Sequence, residues 1–445
     1  MSVNLQRVGG AGSDKNDVTS SLRIPTGSTL TFQDPATQLP AAGAAASDLS
    51  NPAAQVMLRQ RVPRPLPRSG LMQTGGDSQT FGTNYGTSRP YNDGSGNLLA
   101  KYKWVQQLAD AHAMTLSNFA IGGSRVSWKD GPDSWDRRSI FNMVGRNSSI
   151  NTTGIMAVMA GWNNLGQDVD AAYDAAYFAR LRNAYEAIIA RYQIDFWGGI
   201  TNLGWTATAQ VNNPTGWSVT NTTNGQPAAD DTTYVPFYWN NTTRDRRYWI
   251  NIGATTGVVQ FQVVDQRAFC VFFDTAPGGG SVTIKVNGAS VATYDSNFTA
   301  PLSDIFPGVV WVDNIPTGTL TIRVENTSGA SVKMLAYGTR SKTFDEGTRH
   351  MLLSGPCGND GGPGNPKPET QRVAAQLAAY QAVQTFSPNY PVSWVETQSQ
   401  WVESTDQEPT DTSHLTDLGN YGIFRQFLTP WQLPNASSPH FVRMA

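Results

Sequence analysis

The chain has 445 residues, with 32 Lys plus Arg against 34 Asp plus Glu and a formal net charge of −2. Without a basic excess to neutralise phosphates, nucleic acid is excluded as a main partner. No apolar run is long enough to cross a bilayer, so no membrane role is expected. Only 15 % of the residues are charged and 42 are glycine, which favours strands and long loops over exposed helices. The two cysteines, Cys270 and Cys357, make no disulfide framework. The first ten residues have neither a basic n-region nor an apolar h-region, so no secretory signal is expected.

Residues 1–70 lack clear periodicity. In "RQRVPRPLPRSG", Pro63, Pro65 and Pro67 alternate with Arg59, Arg61, Arg64 and Arg68, which predicts an extended arm. Such a polar segment forms no core alone. It reads as an arm that docks on another protein, with a disordered leader as the alternative.

From 71 to 205 two periods alternate. "GLMQTGG" is a short strand. "NLLAKYKWVQQLADAHAM" places Leu98, Tyr102, Val105, Leu108 and His112 on one helical face. "LSNFAIGG" and "GIMAVMAGWNN" are strands that run into turns. "DAAYDAAYFARLRNAYEAIIARYQ" carries Tyr173, Tyr177, Leu181, Tyr185, Ile188 and Tyr192 at helical spacing, and "IDFWGGI" follows as another strand. Alternation of this kind implies a parallel sheet with helices on both faces.

Between 206 and 343 the period becomes two. "GVVQFQVVD", "GTLTIRVEN" and "ASVKMLAYG" alternate as strands, "RAFCVFFD" holds Cys270 as a buried strand residue, and "SVTIKVNGASVATYD" is a hairpin turning at Asn287-Gly288. This predicts an inserted all-β sandwich, a jelly roll. From 344 to 432 the α/β pattern resumes: helix "PETQRVAAQLAAYQAVQTF", strand "YPVSWVET" and closing helix "LTDLGNYGIFRQFL". A tail, 433–445, ends the chain.

The chemistry begins with "TGGDSQTFG". A serine hydroxyl such as that of Ser78 is a poor nucleophile at neutral pH and needs a base within hydrogen-bond reach. The chain has four histidines. His112 reads as structural, His350 lies in a junction and His440 in the tail. His414, in "DTSHLTDLG", has Asp411 three residues before it, close enough for a carboxylate to orient the imidazole; a surface turn before a helix explains the same residues. Gly122-Gly123 leave backbone N–H groups accessible, and Asn163 offers a neutral amide donor, the kind of groups that stabilise an oxyanion. Taken singly, each is also an ordinary turn residue. Three of the four follow strands, where open α/β sheets place their ligand crevice.

Gly76-Asp77-Ser78, Gly123 in "NFAIGGS", Gly161-x-Asn163 and Asp411-x-x-His414 resemble, in order, the four signature blocks of the SGNH hydrolases, also called GDSL esterases. The match covers roughly 71–205 and 344–430. The resemblance implies a flavodoxin-like three-layer fold and a serine esterase needing no metal or organic cofactor. It implies that Ser78 attacks the carbonyl carbon, that His414 moves the proton and that Asp411 orients His414. The oxyanion would lie against the N–H groups of Ser78 and Gly123 and the side chain of Asn163. Three departures stand out. The third block reads "GWNN", with Asn164 where the family usually has Asp, which removes a supporting charge. The first strand is less apolar than usual, and the insertion is large. "CGNDGG" at 357–362 follows no expected strand and reads as a glycine-rich loop.

Arg125, Trp128 and Trp135, just after the second block, are expected to line the mouth of the site, with Trp162 beside them as a substrate contact. In the insert, Trp217, Tyr238, Trp239, Trp249 and Trp311 are candidates for sugar stacking or, more commonly, core. No lid-like amphipathic segment is visible, which favours a polar substrate bearing small acyl esters. The architecture resembles bacteriophage tail and tailspike proteins. It suggests a virion-attached esterase removing O-acetyl groups from bacterial surface polysaccharide, capsule or O-antigen, and bound to other virion proteins through its arm. A homo-oligomer is compatible with this, though no heptad or β-helix repeat demands one. The alternative is an inactive virion structural or glycan-binding protein on the same scaffold, favoured by Asn164; a cytoplasmic esterase with an unrelated leader is a third reading.

Overall fold

The computed structural model describes residues 70–82, 102–128, 154–166, 172–194, 218–225, 249–341, 349–362, 365–398 and 412–432, with short pieces at 30–31, 38–39, 91–92, 98–99, 139–141, 143–144, 216 and 406–407. The chain divides into two units, 1–59 and 60–445. In the first, the antiparallel pair Leu30–Thr31 with Gln38–Leu39 is described; the rest of the expected arm lies outside the described residues.

The second unit begins with strand β1 (Gly70–Gly76), the one-turn helix α1 (Ser78–Phe81), helix α2 (Trp104–Ala111), β2 (Met114–Asn118), β3 (Gly154–Met159) and the long helix α3 (Ala175–Gln193). The sandwich strands follow: β4 (Ser218–Thr220), β5 (Thr222–Gly225), β6 (Trp249–Ile252), β7 (Val258–Val264), β8 (Gln266–Thr275), β9 (Ser281–Val286), β10 (Ala289–Asp295), β11 (Phe306–Val312), β12 (Thr319–Asn326) and β13 (Val332–Ser341). The chain then adds β14 (Arg349–Ser354), α4 (Glu369–Phe386), β15 (Val392–Trp394) and α5 (Asp417–Gln432).

Five strands form one parallel sheet in the order β2-β1-β3-β14-β15. Counted along the chain this is 2-1-3-4-5, a doubly wound order whose switch point lies between β1 and β3. Both faces are covered. In β3, Ile155, Ala157 and Met159 join Trp104, Val105 and Leu108 of α2 and Ile423 and Phe427 of α5. The intervening Met156 and Val158 join Tyr177, Leu181 and Ile188 of α3 and Ala379 and Val383 of α4. Every residue of β3 is buried, so "GIMAVM" reads as an unbroken apolar run.

Two expectations shift. Helix α2 starts only at Trp104, whose N–H finds the Asn420 side chain at 3.1 Å. Leu98 lies in a two-residue strand paired with Tyr91–Asn92, Tyr102 is 50 % exposed, and His112 is the C-terminal cap. Strand β14, "RHMLLS", was not anticipated; it places His350, read as a junction residue, at 3 % exposure in the sheet. The expected strand "IDFWGGI" lies, after Ile194, outside the described residues.

The insert is a sandwich of two antiparallel five-stranded sheets: an inner one, β11-β8-β13-β6-β5, and an outer one, β10-β9-β12-β7-β4. The expected hairpin turn sits at Asn287 (φ 48°) and Gly288 (φ 86°), positive angles that suit a two-residue turn matching the strand twist. Within the inner sheet, most of β8 and the first five residues of β11 are buried on both faces. In β8, Phe269, Val271 and Phe273 face the sandwich core, while Cys270 and Phe272 join the core shared with α3 and α4. The sandwich is therefore fused to the parallel sheet through one continuous apolar layer.

Candidate active site

The candidate site forms where β1, β2 and β3 end. After Gly76 the chain must turn sharply: a Cβ there would lie 2.2 Å from Thr80 Oγ1 and 2.8 Å from the Met159 carbonyl. Asp77 caps α1, its carboxylate accepting from Gln79 N at 3.0 Å, and half-buried Ser78 opens the helix. The segment after β2 stays laced to β1, with Phe119 N donating to Thr74 O (3.2 Å) and Ile121 N to Gly76 O (3.1 Å). This carries Gly122 against the serine; a Cβ on Gly122 would sit 3.8 Å from Ser78 Cβ. Gly123 follows with φ 76°. At the end of β3, Gly161 (φ 109°) leads into a single 3-10 turn, and a Cβ there would be 2.3 Å from the Tyr185 hydroxyl. On that turn Asn163 directs Nδ2 to Ser124 O (3.0 Å) and Asp77 Oδ2 (3.4 Å).

The His414 segment comes from the far end of the chain. Gln79 Nε2 donates to Ser413 O at 3.3 Å across 334 positions of sequence. His414 is 7 % exposed and acts electrostatically on Asp77. Burial pushes the Asp77 carboxyl up to about 6, although the Gln79 N–H and His414 pull it down.

The loop 357–362 supports this arrangement from behind. It does follow a strand, β14, contrary to the sequence expectation, because β14 went unrecognised. Cys357 Sγ donates to Gln79 Oε1 (3.0 Å), Asn359 O accepts from Trp162 Nε1 (3.0 Å), and Gly361 O accepts from Thr412 Oγ1 (2.8 Å). One glycine-rich loop thus touches the serine helix, the Asn163 turn and the histidine segment. Lys367 lies beside it, its ammonium donating to Leu165 O and resting 4.7 Å from the Trp162 ring centroid. Burial, then the charge of Arg125, lowers this lysine to about 8.

A second polar cluster joins the site to the insert. Asp304, just before β11, has a fully buried carboxylate paired with Arg125 at 2.5 Å. Its other oxygen accepts from Ser127 Oγ (2.7 Å) and Asn164 Nδ2 (3.2 Å). Asn164 also donates to Ser127 Oγ (2.7 Å) and accepts from Val126 N (2.8 Å). Next to it, Trp128 and Ile305 exchange backbone hydrogen bonds of 2.9 and 2.7 Å.

The fold therefore brings Ser78, Gly122-Gly123, Asn163 and the His414 segment together at the strand ends; Asp411 and Trp135 lie outside the described residues. The expected mouth residues differ. Trp128 is 1 % exposed and packs on Phe141, so it is core and not a lining of the site, because the Asp304–Ile305 segment covers it. Trp162 is 3 % exposed and its indole is held by Asn359 and Lys367, which makes it a support beneath the Asn163 turn and not a substrate contact. Arg125 is engaged by Asp304. Of the sandwich aromatics, Trp311 packs against Phe386 and Tyr390, with centroids 5.2 and 5.1 Å away. Trp217, Tyr238, Trp239 and the side chain of Trp249 lie outside the described residues. Among the described residues no group of three or more His, Cys, Asp or Glu is placed to hold a metal ion, and no helix is long and apolar enough to cross a membrane. Sequence reasoning missed Asp304, Asn359 and Lys367.

The chain matches no protein-family model and no curated protein. Solved structures similar to part of it include a family 35 carbohydrate-binding module from Clostridium thermocellum, 16 % identical with a TM-score of 0.20, over 27 % of this chain and 88 % of that one. A CBM35 from Paenibacillus barcinonensis is 18 % identical, with a TM-score of 0.21, over 29 % of this chain and 94 % of that one. An exo-beta-1,3-galactanase from Phanerochaete chrysosporium is 12 % identical, with a TM-score of 0.20, over 28 % of this chain and 27 % of that one.

Proposed function

We propose that the protein is a serine esterase of the SGNH type acting on small acyl esters, O-acetyl groups above all, of a bacterial surface polysaccharide. The observation that carries this reading is the convergence at the strand ends of Ser78, the Gly122-Gly123 turn, the Asn163 amide and the His414 segment. Each comes from a separate stretch of chain, and each supplies a part that acyl transfer needs.

In this mechanism Ser78 Oγ attacks the ester carbonyl carbon while His414 takes its proton. The carbonyl oxygen becomes an oxyanion, held by the N–H groups of Ser78 and Gly123 and by the Asn163 amide, which turns from Asp77 and Ser124 toward it. His414 then returns the proton to the departing sugar oxygen. Water, activated by the same imidazole, cleaves the acyl-enzyme and releases the acid. Asp411 orients His414 in this scheme, as the resemblance implies. The polysaccharide, the virion location, and docking through the arm over 1–70 rest on the resemblance alone.

Hydrolysis of p-nitrophenyl acetate by the wild type and by Ser78→Ala tests the chemistry. The expected loss is on the order of 10⁴–10⁶-fold in kcat, because such residues act as a unit. Equal, slow rates would leave the inactive glycan-binding scaffold as the better reading. Release of acetate from acetylated bacterial polysaccharides then tests the substrate class.

A further inference from the structure

We infer that the inserted sandwich completes the active site: Asp304 is a positioning residue that supplies, from the insert, the carboxylate for which the third block carries Asn164. The inference rests on the esterase reading for its catalytic consequence, and on geometry for the rest. Asn164 is 0 % exposed and lies next to Asn163. Its Nδ2 reaches Asp304 at 3.2 Å, and Ser127 Oγ joins the same carboxylate oxygen at 2.7 Å. Arg125, two residues after Gly123, neutralises the other oxygen.

The polarity of this cluster explains why it needs a carboxylate. Asp304 faces three donors, from Arg125, Ser127 and Asn164, and a carboxylate is the side chain that only accepts. The cluster spans the two segments that carry the oxyanion donors. Ser124 to Trp128 follows Gly123, and Gly161 to Asn164 carries Asn163. Asn164 ties them through Val126 N, and Asp304 clamps both. The paired backbone hydrogen bonds of Trp128 and Ile305 fix the clamp to the first segment. Beside the direct bond from Asn163 to Ser124 O, the separation of the Gly123 N–H from the Asn163 amide is thereby braced by a residue of the insert.

Full-length Asp304→Asn, Asn164→Asp and the double variant test this. Asp304→Asn turns an amide donor toward the donors of Ser127 and Asn164, and Asn164→Asp sets two carboxylates against each other. The double variant restores one carboxylate and one amide in reversed order, with the Ser127 hydroxyl turned to suit. Each single variant is expected to lose about 10–100-fold in kcat with KM little changed, since a displaced oxyanion donor weakens only the transition state. The double variant is expected to recover most of it. Hydrogen–deuterium exchange over 124–128 and 161–166 should rise in both singles and fall back in the double. A double variant no better than the worse single, by exchange, overturns the inference, including when Asp304→Asn fails to fold and the second change does not rescue it. Wild-type activity that Asp304→Asn leaves intact also overturns it. A wild type without esterase activity, but with exchange rescued in the double, removes the esterase reading and leaves the clamp standing.

Discussion

The carboxyl ends of the parallel strands and the outer sheet of the sandwich handle polar groups in opposite ways. In the outer sheet, burial alternates residue by residue: Val282 and Ile284 of β9 and Leu320, Ile322 and Val324 of β12 point inward, while Lys285, Arg323 and Glu325 keep water contact. At the strand ends, Asp77, Gln79, Asn164, Asn359, Lys367 and His414 are all buried, none more than 7 % exposed. Buried polar groups are stabilising only when partnered, so this concentration depends on a network of hydrogen bonds that the outer sheet does not need. The outer sheet shows what the same chain does when only stability is at stake. The inner sheet lies between these regions and links them.

The link can be broken directly. Phe272, 0 % exposed, projects from β8 into the shared core and meets Phe141 edge-on at 5.5 Å. Phe272→Ala is expected to cost about 3–5 kcal/mol and to lower a single calorimetric transition that melts sandwich and parallel sheet together. Two separated transitions would show that the regions are independent. The next effect is one of pH. The folded protein raises the Asp77 carboxyl from 3.8 to about 6, so the native state holds this proton more tightly than the unfolded chain. Stability from this group is full below about pH 4 and is lost as pH rises to about 6, on the order of 2–3 kcal/mol. Asp77→Asn should abolish that decline, read as melting temperature against pH for both proteins. Trp162→Phe removes the donor to the buried Asn359 carbonyl and should lower the urea midpoint by the equivalent of about 1–2 kcal/mol. The smallest effect belongs to the outer sheet. Lys285→Ala breaks a partly exposed pair with Glu325, and equilibrium unfolding should register under about 0.5 kcal/mol. A larger loss there would erase the contrast between the two regions.

How much of this is readable in the sequence follows from the range of each interaction. The outer strands and their Asn287-Gly288 turn are local patterns, and they fall where the period of two places them. Ser78, Gly123 and Asn163 could be singled out because a strand running into glycine or a turn is local as well. The inner strand "QRAFCVFFDT" shows its burial as an apolar run, but not what lies on each side. Trp128 and Trp162 misled because a loop after a strand looks exposed until something from elsewhere covers it. Asp304 carried no local signal, since its partner Asn164 is 140 positions away. Strand β14 was lost for a different reason: six residues with His350 inside give little period to read.

Where α3 packs on the insert, Asn183 bears on how copies of this chain meet. Strand β11 is the border of the inner sheet, and a border presents backbone groups that invite another strand. Asn183 of α3 occupies Val309 on both counts, donating to its carbonyl at 3.0 Å and accepting from its N–H at 3.1 Å. A helix side chain thus stands in for the missing neighbour. Sheet-to-sheet polymerisation along this rim would have to evict that amide first, so the helix beside the insert guards the insert's open edge at the seam where the two meet.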